Sequence, residues 1–380
     1  MNKRIAIIDP LGAHGSSHHF YLFGQSMGLI KSGVEVSLYT NKETIDPKIK
    51  GLNFITFYQD IFGSNLRIIN GLRWIMGSLF SIFHARFSKI SIFHFHVFYT
   101  NILVLFNLLL VKLLFGKVVV TIHDVESFAK NNTKTISNLV YKLTDLVLTH
   151  NNFSKSEIIN RNPDLSAQIF IVPHGSYTPF INLRNEKKKS RDYLGLPNDK
   201  KIILFFGMIK KVKGLDILLE SFKQVINKDP DTVLLIAGRP WENDFSMYQK
   251  IIDKNNLSSN IALHTRFIPH DDVGHYYCAS DLVVLPYKKI YQSGVLMMAL
   301  SYEKPTLVSD LPPLKEVLTD NKNGFFFKSE DINHLAERID FILSSTENLE
   351  RVRGNGSLLV NTKFGWDEIG ELTIKAYQKL

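Results

Sequence analysis

Short apolar runs alternate with longer segments of helical periodicity along nearly the whole chain. In the first half, the runs typical of strands cover residues 5–8, 34–38, 92–97, 118–122, 146–149 and 169–172. Helical patterns fall between them, for example at 17–32 and 134–143. Because parallel strands need long crossovers, this alternation predicts a parallel sheet covered by helices on both faces.

A second series of the same kind follows. Its predicted strands cover residues 202–206, 232–237, 261–264, 282–285, 306–309 and 324–327. Between the two series stand Pro179 and a polar run, 182–191, whose composition is typical of a linker. The length of 380 residues also suits two domains. The sequence therefore predicts an α/β protein of two doubly wound domains facing a central cleft, with ligands at the carboxyl ends of the strands.

The net charge of +9 is unevenly placed. No acidic residue lies between Asp60 and Asp124, whereas six basic residues do: Arg67, Arg73, Arg86, Lys89, Lys112 and Lys117. An ordinary solvated basic face explains such a run. Attraction to an anionic membrane surface or to a pyrophosphate-bearing acceptor explains it equally well. No nucleic-acid-binding module accompanies the charge, so we do not expect nucleic acid as a partner.

The single cysteine, Cys278, excludes a disulfide framework and fits a reducing compartment. The apolar run after Arg4 is too short for a signal peptide. Residues 90–111 carry no Lys, Arg, Asp or Glu, but the alternation at 92–97 favours a strand over a spanning helix. We therefore expect a cytoplasmic protein, and peripheral attachment to the inner face of the membrane through residues 66–87 stays open.

Two segments of the second half are suited to a diphosphate. The first runs from a predicted strand through Gly207, Lys210 and Lys213 to Gly214 and a helix. Lysines at the carboxyl end of a strand, ahead of a helix N-terminus, suit phosphate groups. The spacing is not that of a Walker loop, and a charged surface loop is the alternative interpretation.

The second segment is the loop Tyr291-Gln292-Ser293-Gly294-Val295, which opens an apolar helix. Ser293 is suited to cap that helix, and Gly294 lets a phosphate approach the free backbone N–H groups of its first turn. A capped core helix without a ligand has the same pattern, so this segment alone leaves the function open.

Together with four further pieces, these segments resemble the donor-binding half of retaining family 4 glycosyltransferases of the GT-B fold, or glycosyl transferases group 1. The resemblance is to members that carry Gln-Ser-Gly-Val-Leu in the donor loop. The further pieces are Ile236-Ala237-Gly238-Arg239, Thr265-Arg266-Phe267-Ile268-Pro269, Lys304-Pro305-Thr306-Leu307-Val308-Ser309-Asp310 and Asn323-Gly324-Phe325. Their order and spacing match over residues 200–345.

The first half resembles the family more loosely, in the glycine-containing loop at 12–19, in Thr121-Ile122-His123-Asp124 and in Pro173-His174-Gly175. The resemblance implies an acceptor-side Rossmann-like domain at 1–180 and a nucleotide-sugar-binding domain at 181–363. It also implies that a last helix, 364–380, returns to the first domain.

The activity implied is that of a retaining, hexosyltransferase-type enzyme without a cofactor. A UDP- or GDP-sugar would serve as co-substrate, and a glycan or lipid-linked acceptor near the membrane would receive the sugar in surface polysaccharide or glycoconjugate synthesis. No Asp-x-Asp motif stands where a metal–diphosphate bridge is expected, so we expect no metal and metal-independent activity.

The same resemblance assigns roles to single residues. His123 and Lys210 are the catalytic candidates, and Gly15, His18 and His19 are the acceptor-binding candidates. The donor-binding candidates are Gly207, Lys210, Lys213, Arg239, Phe267, Ile268, Tyr291, Gln292, Ser293, Gly294 and Val295.

Two departures from the family pattern bear on the function. The family often carries two glutamates at positions that are Ile290 and Met298 in this chain. It also often carries a basic residue directly after the glycine that corresponds to Gly207, where this chain has Met208. Direct carboxylate contact with the donor sugar is therefore not expected. A nucleotide-sugar epimerase and a noncatalytic nucleotide-sugar-binding partner of another transferase stay as alternatives. A dinucleotide oxidoreductase is disfavoured, since no Gly-x-Gly-x-x-Gly follows the first strand.

Overall fold

The computed structural model describes residues 4–15, 17–126, 134–163, 165, 167–183 and 185–380. The chain forms two compact units. The first unit comprises Met1–Gly175 and Phe364–Leu380, and the second comprises Ser176–Lys363. The units divide between Gly175 and Ser176, whereas the predicted boundary was residue 180.

The first unit contains a seven-stranded parallel sheet in the order β3-β2-β1-β4-β5-β6-β7. Its strands are β1 (Arg4–Ile8), β2 (Glu35–Asn41), β3 (Leu52–Tyr58), β4 (Ile92–Val97), β5 (Lys117–Ile122), β6 (Leu146–Thr149) and β7 (Gln168–Ile171). The described helices are α1 (His18–Lys31), α2 (Arg67–Phe87), α3 (Ile102–Leu113), α4 (Lys134–Leu143), α5 (Asn152–Arg161) and, at the end of the chain, α14 (Trp366–Tyr377).

The second unit contains a six-stranded parallel sheet in the order β10-β9-β8-β11-β12-β13. Its strands are β8 (Lys201–Phe206), β9 (Thr232–Ala237), β10 (Ile261–His264), β11 (Leu282–Leu285), β12 (Thr306–Ser309) and β13 (Phe325–Phe327). Its helices are α6 (Lys187–Leu194), α7 (Leu215–Lys228), α8 (Ser246–Lys254), α9 (His270–Ala279), α10 (Gly294–Ser301), α11 (Pro312–Lys315), α12 (Ile332–Leu343) and α13 (Thr346–Thr362).

The prediction of two doubly wound parallel sheets is confirmed. In both sheets the strand order reverses beside the first strand, between β1 and β4 and between β8 and β11. The core of the second unit includes Phe205, Leu234 and Val284 on neighbouring strands, all at most 1% exposed. Near-continuous apolar strands of this kind are typical of a sheet covered on both faces.

Strand β3 was not predicted from the sequence. This strand lies at the edge of its sheet and pairs only with β2. The connection from Asn41 to Leu52 contains no helix among the described elements, so the strand–helix alternation is broken at this point. Helix α13, with a hydroxyl cap at Ser345 and few buried residues, was also missed.

The expected linker at 182–191 is wrong in its second half, where residues from Lys187 onward form α6 (Arg184 lies outside the described residues). A lysine-rich helix start is unfavourable beside the positive end of the helix dipole, so composition indicated a loop. Packing overrides this effect through Arg191, which is 2% exposed. Its guanidinium donates to the carbonyl oxygens of Ala279, Asn198 and Lys200 at 3.0, 2.8 and 2.9 Å and to Asp281 Oδ2 at 2.8 Å.

Helix α2 has an unusual distribution of side chains. Its buried residues are Gly77, Ser78, Ser81, Ile82 and Ala85, which are mostly small. Its exposed side carries large apolar residues spaced three or four apart, namely Ile69, Leu72, Met76, Phe80, Phe83 and Phe87. Monomeric soluble proteins rarely expose an apolar stripe of this size. Among the described residues, no helix is both long enough and apolar enough to cross a membrane.

Helix α14 closes the first unit. Trp366 packs against Gly24 and Gly175, where an added Cβ atom would lie 2.0 and 2.5 Å from the indole ring. The hydroxyl of Tyr377 lies 2.7 Å from Nδ1 of His94 in β4. The end of the chain is therefore part of the core of the first unit.

We predict that Arg191→Met lowers the free energy of unfolding by about 3 kcal/mol or more, because Asp281 and several carbonyl groups lose a buried cationic partner. Lys189→Met is the matched control, since its side chain is 74% exposed in the same helix and pairs with Glu186; we expect a change within about 0.5 kcal/mol. Urea denaturation measures both variants. Equal effects of the two substitutions would contradict an anchoring role for Arg191.

Candidate nucleotide-sugar site and a buried histidine cluster

The two loops that the sequence singled out meet at the carboxyl ends of β8 and β11. Gly214 has φ +69°, and a Cβ atom there would lie 1.8 Å from the carbonyl oxygen of Pro286. Gly207 has φ +105°, and a Cβ atom there would lie 3.3 Å from Cγ2 of Val295. Only glycine allows both the positive φ and the close approach at Gly214. The loops therefore form one surface at the point where the strand order reverses.

Polar contacts hold the same two loops together. The backbone N–H of Lys288 donates to the Val212 carbonyl at 2.9 Å. The ammonium group of Lys288 pairs with Asp216 at 2.6 Å. Lys213 Nζ lies 3.9 Å from the ring centroid of Tyr287. This loop–loop joint thus carries a lysine of the first loop in cation–π contact with an aromatic ring of the second.

Ser293 caps α10, as predicted, since its Oγ accepts a hydrogen bond from the Leu296 N–H at 3.1 Å. The N–H groups of Gly294 and Val295 belong to the same first turn, whose amides have no acceptors within the helix. Their partial positive charge suits an anion. Tyr291 is buried, and Gln292 is half-buried.

Arg239, Phe267 and Ile268 lie at the same edge of the sheet but in separate loops. Arg239 is exposed after β9, and its carbonyl accepts from the Ile209 N–H at 3.0 Å. Phe267 is 63% exposed and Ile268 is buried in the loop after β10. Lys210 Nζ lies 4.0 Å from the ring centroid of Trp241, a residue that the sequence analysis did not select.

The positions of the family's glutamates are apolar in structure as well as in sequence. Met298 is 6% exposed within α10. Ile290 is half-buried in the loop before it. Neither position offers a carboxylate to a donor sugar.

The acceptor-binding candidates lie in the first unit, around the start of α1. Gly15 ends a short 3₁₀ turn, and His18 is the first residue of α1. His18 is 8% exposed, with its ring centroid 5.0 Å from that of His123. His19 lies against Phe20 and Phe23, at 4.0 and 5.5 Å between ring centroids. The structure thus brings His18 and His123 together.

His123 belongs to a chain of buried histidines that crosses three neighbouring strands. Its Nε2 lies 2.9 Å from Nδ1 of His96 in β4. Its Nδ1 lies 3.0 Å from Nε2 of His150, which follows β6. His150 Nδ1 donates to the Val172 carbonyl at 2.9 Å, and His96 Nε2 lies 2.9 Å from Oε1 of Gln25.

Burial keeps these rings neutral near pH 7. It lowers the pKa of His18 and His174 to about 3 and the pKa of His150 to about 4. It also holds the pKa of His96 and His123 well below the usual value, with further repulsion from the neighbouring rings. Burial likewise raises the pKa of Asp9, at the end of β1, to about 6.

His123 and His18 were candidates from the sequence, whereas His96, His150 and Gln25 were not predicted. One feature of the sequence could have indicated this cluster. His123 and His150 each directly follow a predicted strand, so parallel pairing of the two strands places the histidines side by side. The period-two spacing of His94 and His96 places both on one face of β4. No local motif joins these positions.

Residues 186–358 match the family described as glycosyl transferases group 1. Spore coat protein SA of Bacillus subtilis is 28% identical over 203 residues, which cover 51% of this chain and 52% of that protein. The capsular polysaccharide biosynthesis glycosyltransferase CapM of Staphylococcus aureus is 24% identical over 224 residues, which cover 57% of each chain. The chain thus spans about half the length of these curated relatives.

Among solved structures, Anabaena HepE in complex with UDP is similar over 100% of both chains, with a TM-score of 0.74 and 14% sequence identity. At this identity the likeness shows the fold. It confirms the predicted pair of Rossmann-like units of the GT-B fold.

We predict that Gly214→Ala destabilises the protein more than Gly195→Ala does. Both glycines have a left-handed φ, +69° and +68°, but only Gly214 has a backbone oxygen within 2 Å of an added Cβ; at Gly195 nothing lies within 4 Å. The conformational cost of about 1 kcal/mol is therefore common to both, and the difference measures the loop–loop contact. Urea denaturation of the two variants measures it, and equal losses would contradict close packing at Pro286.

Proposed function

We propose that the protein is a glycosyltransferase that moves a sugar from a nucleoside diphosphate donor to a glycan acceptor. The observation that carries the proposal is the joint of the two loops at β8 and β11. There Lys213 lies over the ring of Tyr287, whose hydroxyl is 3.3 Å from Oγ of Ser293, the N-cap of α10. The family match at 186–358 covers this joint. HepE, which shares the fold, was solved with UDP bound.

The joint suits the charge that develops during the reaction. When the bond from the anomeric carbon to the donor phosphate breaks, negative charge grows on the leaving diphosphate. Lys213, Lys210 and the first N–H groups of α10 are the cationic groups and dipoles that would stabilise it. Arg239, Phe267 and Ile268 would bind the nucleoside, either a uridine or a guanosine. Retention of configuration needs no nucleophile from the protein, because the departing phosphate can accept the proton of the acceptor.

We also propose that the reaction needs no metal ion. Within the described residues, a group of three potential metal ligands occurs in the first unit and none occurs at the donor loops. The lysines supply positive charge at the same place. His123 and the residues at the start of α1 are proposed to act on the acceptor or the transferred sugar.

The apolar stripe of α2 supports a lipid-linked or membrane-proximal acceptor. Ile69, Leu72, Met76 and Phe80 line a groove of about 510 Å³ together with Phe57. Arg67 is exposed at the start of the helix and adds positive charge. An apolar stripe with basic residues beside it is typical of interfacial helices. CapM, one of the relatives, is named for capsular polysaccharide biosynthesis.

Arg86 does not contribute to this surface as the sequence analysis expected. Its Nε donates to the Leu114 carbonyl at 2.9 Å, and the guanidinium is half-buried. Arg73 likewise donates to the Asp60 carbonyl at 3.0 Å. These two arginines connect α2 to the rest of the first unit. A test of membrane binding must therefore leave them unchanged.

The proposed activity predicts release of UDP or GDP that depends on both a nucleotide sugar and a lipid-linked glycan acceptor, and that persists in EDTA. Lys213→Met should lower the affinity for the donor about 10- to 100-fold, since a charge-assisted hydrogen bond contributes about 1.5–3 kcal/mol. A screen of UDP- and GDP-sugars, followed by titration of the active donor, measures both effects.

Lys211→Met is the matched control, because Lys211 is exposed in the same loop; we expect a change of less than about threefold. Equal losses in the two variants would contradict the assigned role of Lys213. Epimerised donor formed without acceptor would favour an epimerase instead. Donor binding without turnover for any acceptor would favour a noncatalytic sugar-binding protein.

We also propose that the apolar stripe of α2 attaches the protein to a membrane surface, and we expect the protein to sediment with vesicles containing anionic lipid. Leu72→Ser with Phe80→Ser should reduce the bound fraction several-fold, because about 25 cal/mol is lost for each Å² of apolar surface that no longer enters the lipid. Leu358→Ser is the control, since Leu358 is a 64% exposed apolar residue of the second unit. Binding that is unchanged in the α2 double variant would exclude this surface.

A further inference from the structure

The buried histidines leave one feature that the proposed transfer does not use. One ring nitrogen from each of His18, His96 and His123 lies within 4.8 Å of the other two. The rings are 5.0 to 5.4 Å apart between centroids. All three residues are buried.

The outer hydrogen bonds fix where the protons are. Because the Val172 carbonyl only accepts, Nδ1 of His150 carries its proton, and Nε2 of His150 must accept from Nδ1 of His123. The lone pair of His123 Nε2 therefore faces Nδ1 of His96 at 2.9 Å, where a proton on His96 Nδ1 satisfies it in the metal-free protein. That proton requires the Gln25 amide group, whose Nε2 otherwise has no hydrogen-bond partner among the described residues, to donate to Nε2 of His96. A divalent ion that binds both ring nitrogens would replace this proton.

Two further buried atoms point to the same place. His18 Nε2 has no hydrogen-bond partner among the described residues, and neither does Asp9 Oδ1. These two atoms lie 3.9 Å apart, and Asp9 is 1% exposed. Burying a polar atom without a hydrogen-bond partner costs free energy. A ligand that interacts with both His18 Nε2 and Asp9 Oδ1 is therefore favoured.

We propose that His18, His96 and His123 form a binding site for a late first-row divalent metal ion such as Zn²⁺, with Asp9 beside it to balance the charge. Imidazole nitrogens are preferred ligands of this class of ion. The hydrogen bonds of His96 to Gln25 and of His123 to His150 are the outer contacts that orient ligating histidines in metalloproteins. A Zn–N distance of about 2.0–2.1 Å places tetrahedral ligand nitrogens about 3.4 Å apart. His96 Nδ1 and His123 Nε2, which lie 2.9 Å apart, must therefore separate slightly, and His18 must move toward them by side-chain rotation.

This site departs from the expectation of a chain without metal ligands. Its three ligands belong to the first unit and not to the loops after β8 and β11. Metal binding takes the Nε2 lone pair of His123 and so withdraws that group from other contacts. If the proposed function holds, Zn²⁺ inhibits sugar transfer, and EDTA leaves the activity unchanged or raises it.

Co²⁺ titration of the untagged full-length protein tests the site without any assay of activity. We expect one equivalent to bind with the visible absorption bands of a four-coordinate cobalt ion, and Zn²⁺ to displace it. His96→Gln should lower the Co²⁺ affinity by at least about 100-fold, more than the loss of an outer contact causes. His94→Gln is the matched control: it is a fully buried histidine on the same strand, bonded to Thr121 and Tyr377 instead, and it should keep the bands.

His18→Gln and Gln25→Leu provide independent variants if His96→Gln fails to fold. The first should abolish the bands, and the second should weaken binding about 10- to 100-fold. Absence of four-coordinate bands in the unaltered protein would overturn the proposal. Retention of the bands in His18→Gln, or equal loss in His94→Gln, would overturn it as well. Zn²⁺ binding without inhibition of transfer would contradict only the consequence that rests on the proposed function.

Discussion

The structure depends on the reversal of strand order in two parallel sheets. Where consecutive connections leave the first strand of a sheet in opposite directions, the loops after neighbouring strands part and leave room for a ligand. The lysine-bearing loop after β8 and the capped helix after β11 lie at this position in the second unit. Asp9 after β1 and the histidines around β4 lie at the equivalent position in the first unit. The same constraint thus places both candidate sites.

Within the second unit, backbone contacts rather than side chains set the shape of the donor surface. Gly214 and Gly238 let their chains approach the carbonyl oxygens of Pro286 and Gly207 more closely than any Cβ atom allows. Lysine side chains extend from this base. In the proposed function amides and lysines bind the phosphates, so the apolar residues Ile290 and Met298 would leave that part of the site unaffected.

The sequence predicted the fold well where the physical signal was local. Apolar strands and the Ser293 cap are encoded by neighbouring residues, and the structure bears them out. The prediction at Lys187–Leu194 was wrong because the helix depends on Arg191, whose acceptors lie on other elements. The histidine chain was missed for a related reason, since His96, His123 and His150 meet only through the register of β4, β5 and β6.

The position of α14 has a consequence for synthesis of the chain. Trp366 and Tyr377 complete the core of the first unit, yet the whole of Ser176–Lys363 is translated between that unit's main body and this helix. At about 5–20 residues per second, the ribosome needs about 10 to 40 s to make the intervening segment. During that interval the groove formed by Gly24, Gly28 and Gly175 lacks its tryptophan. The first unit therefore cannot complete its core until the whole second unit and α14 have been made.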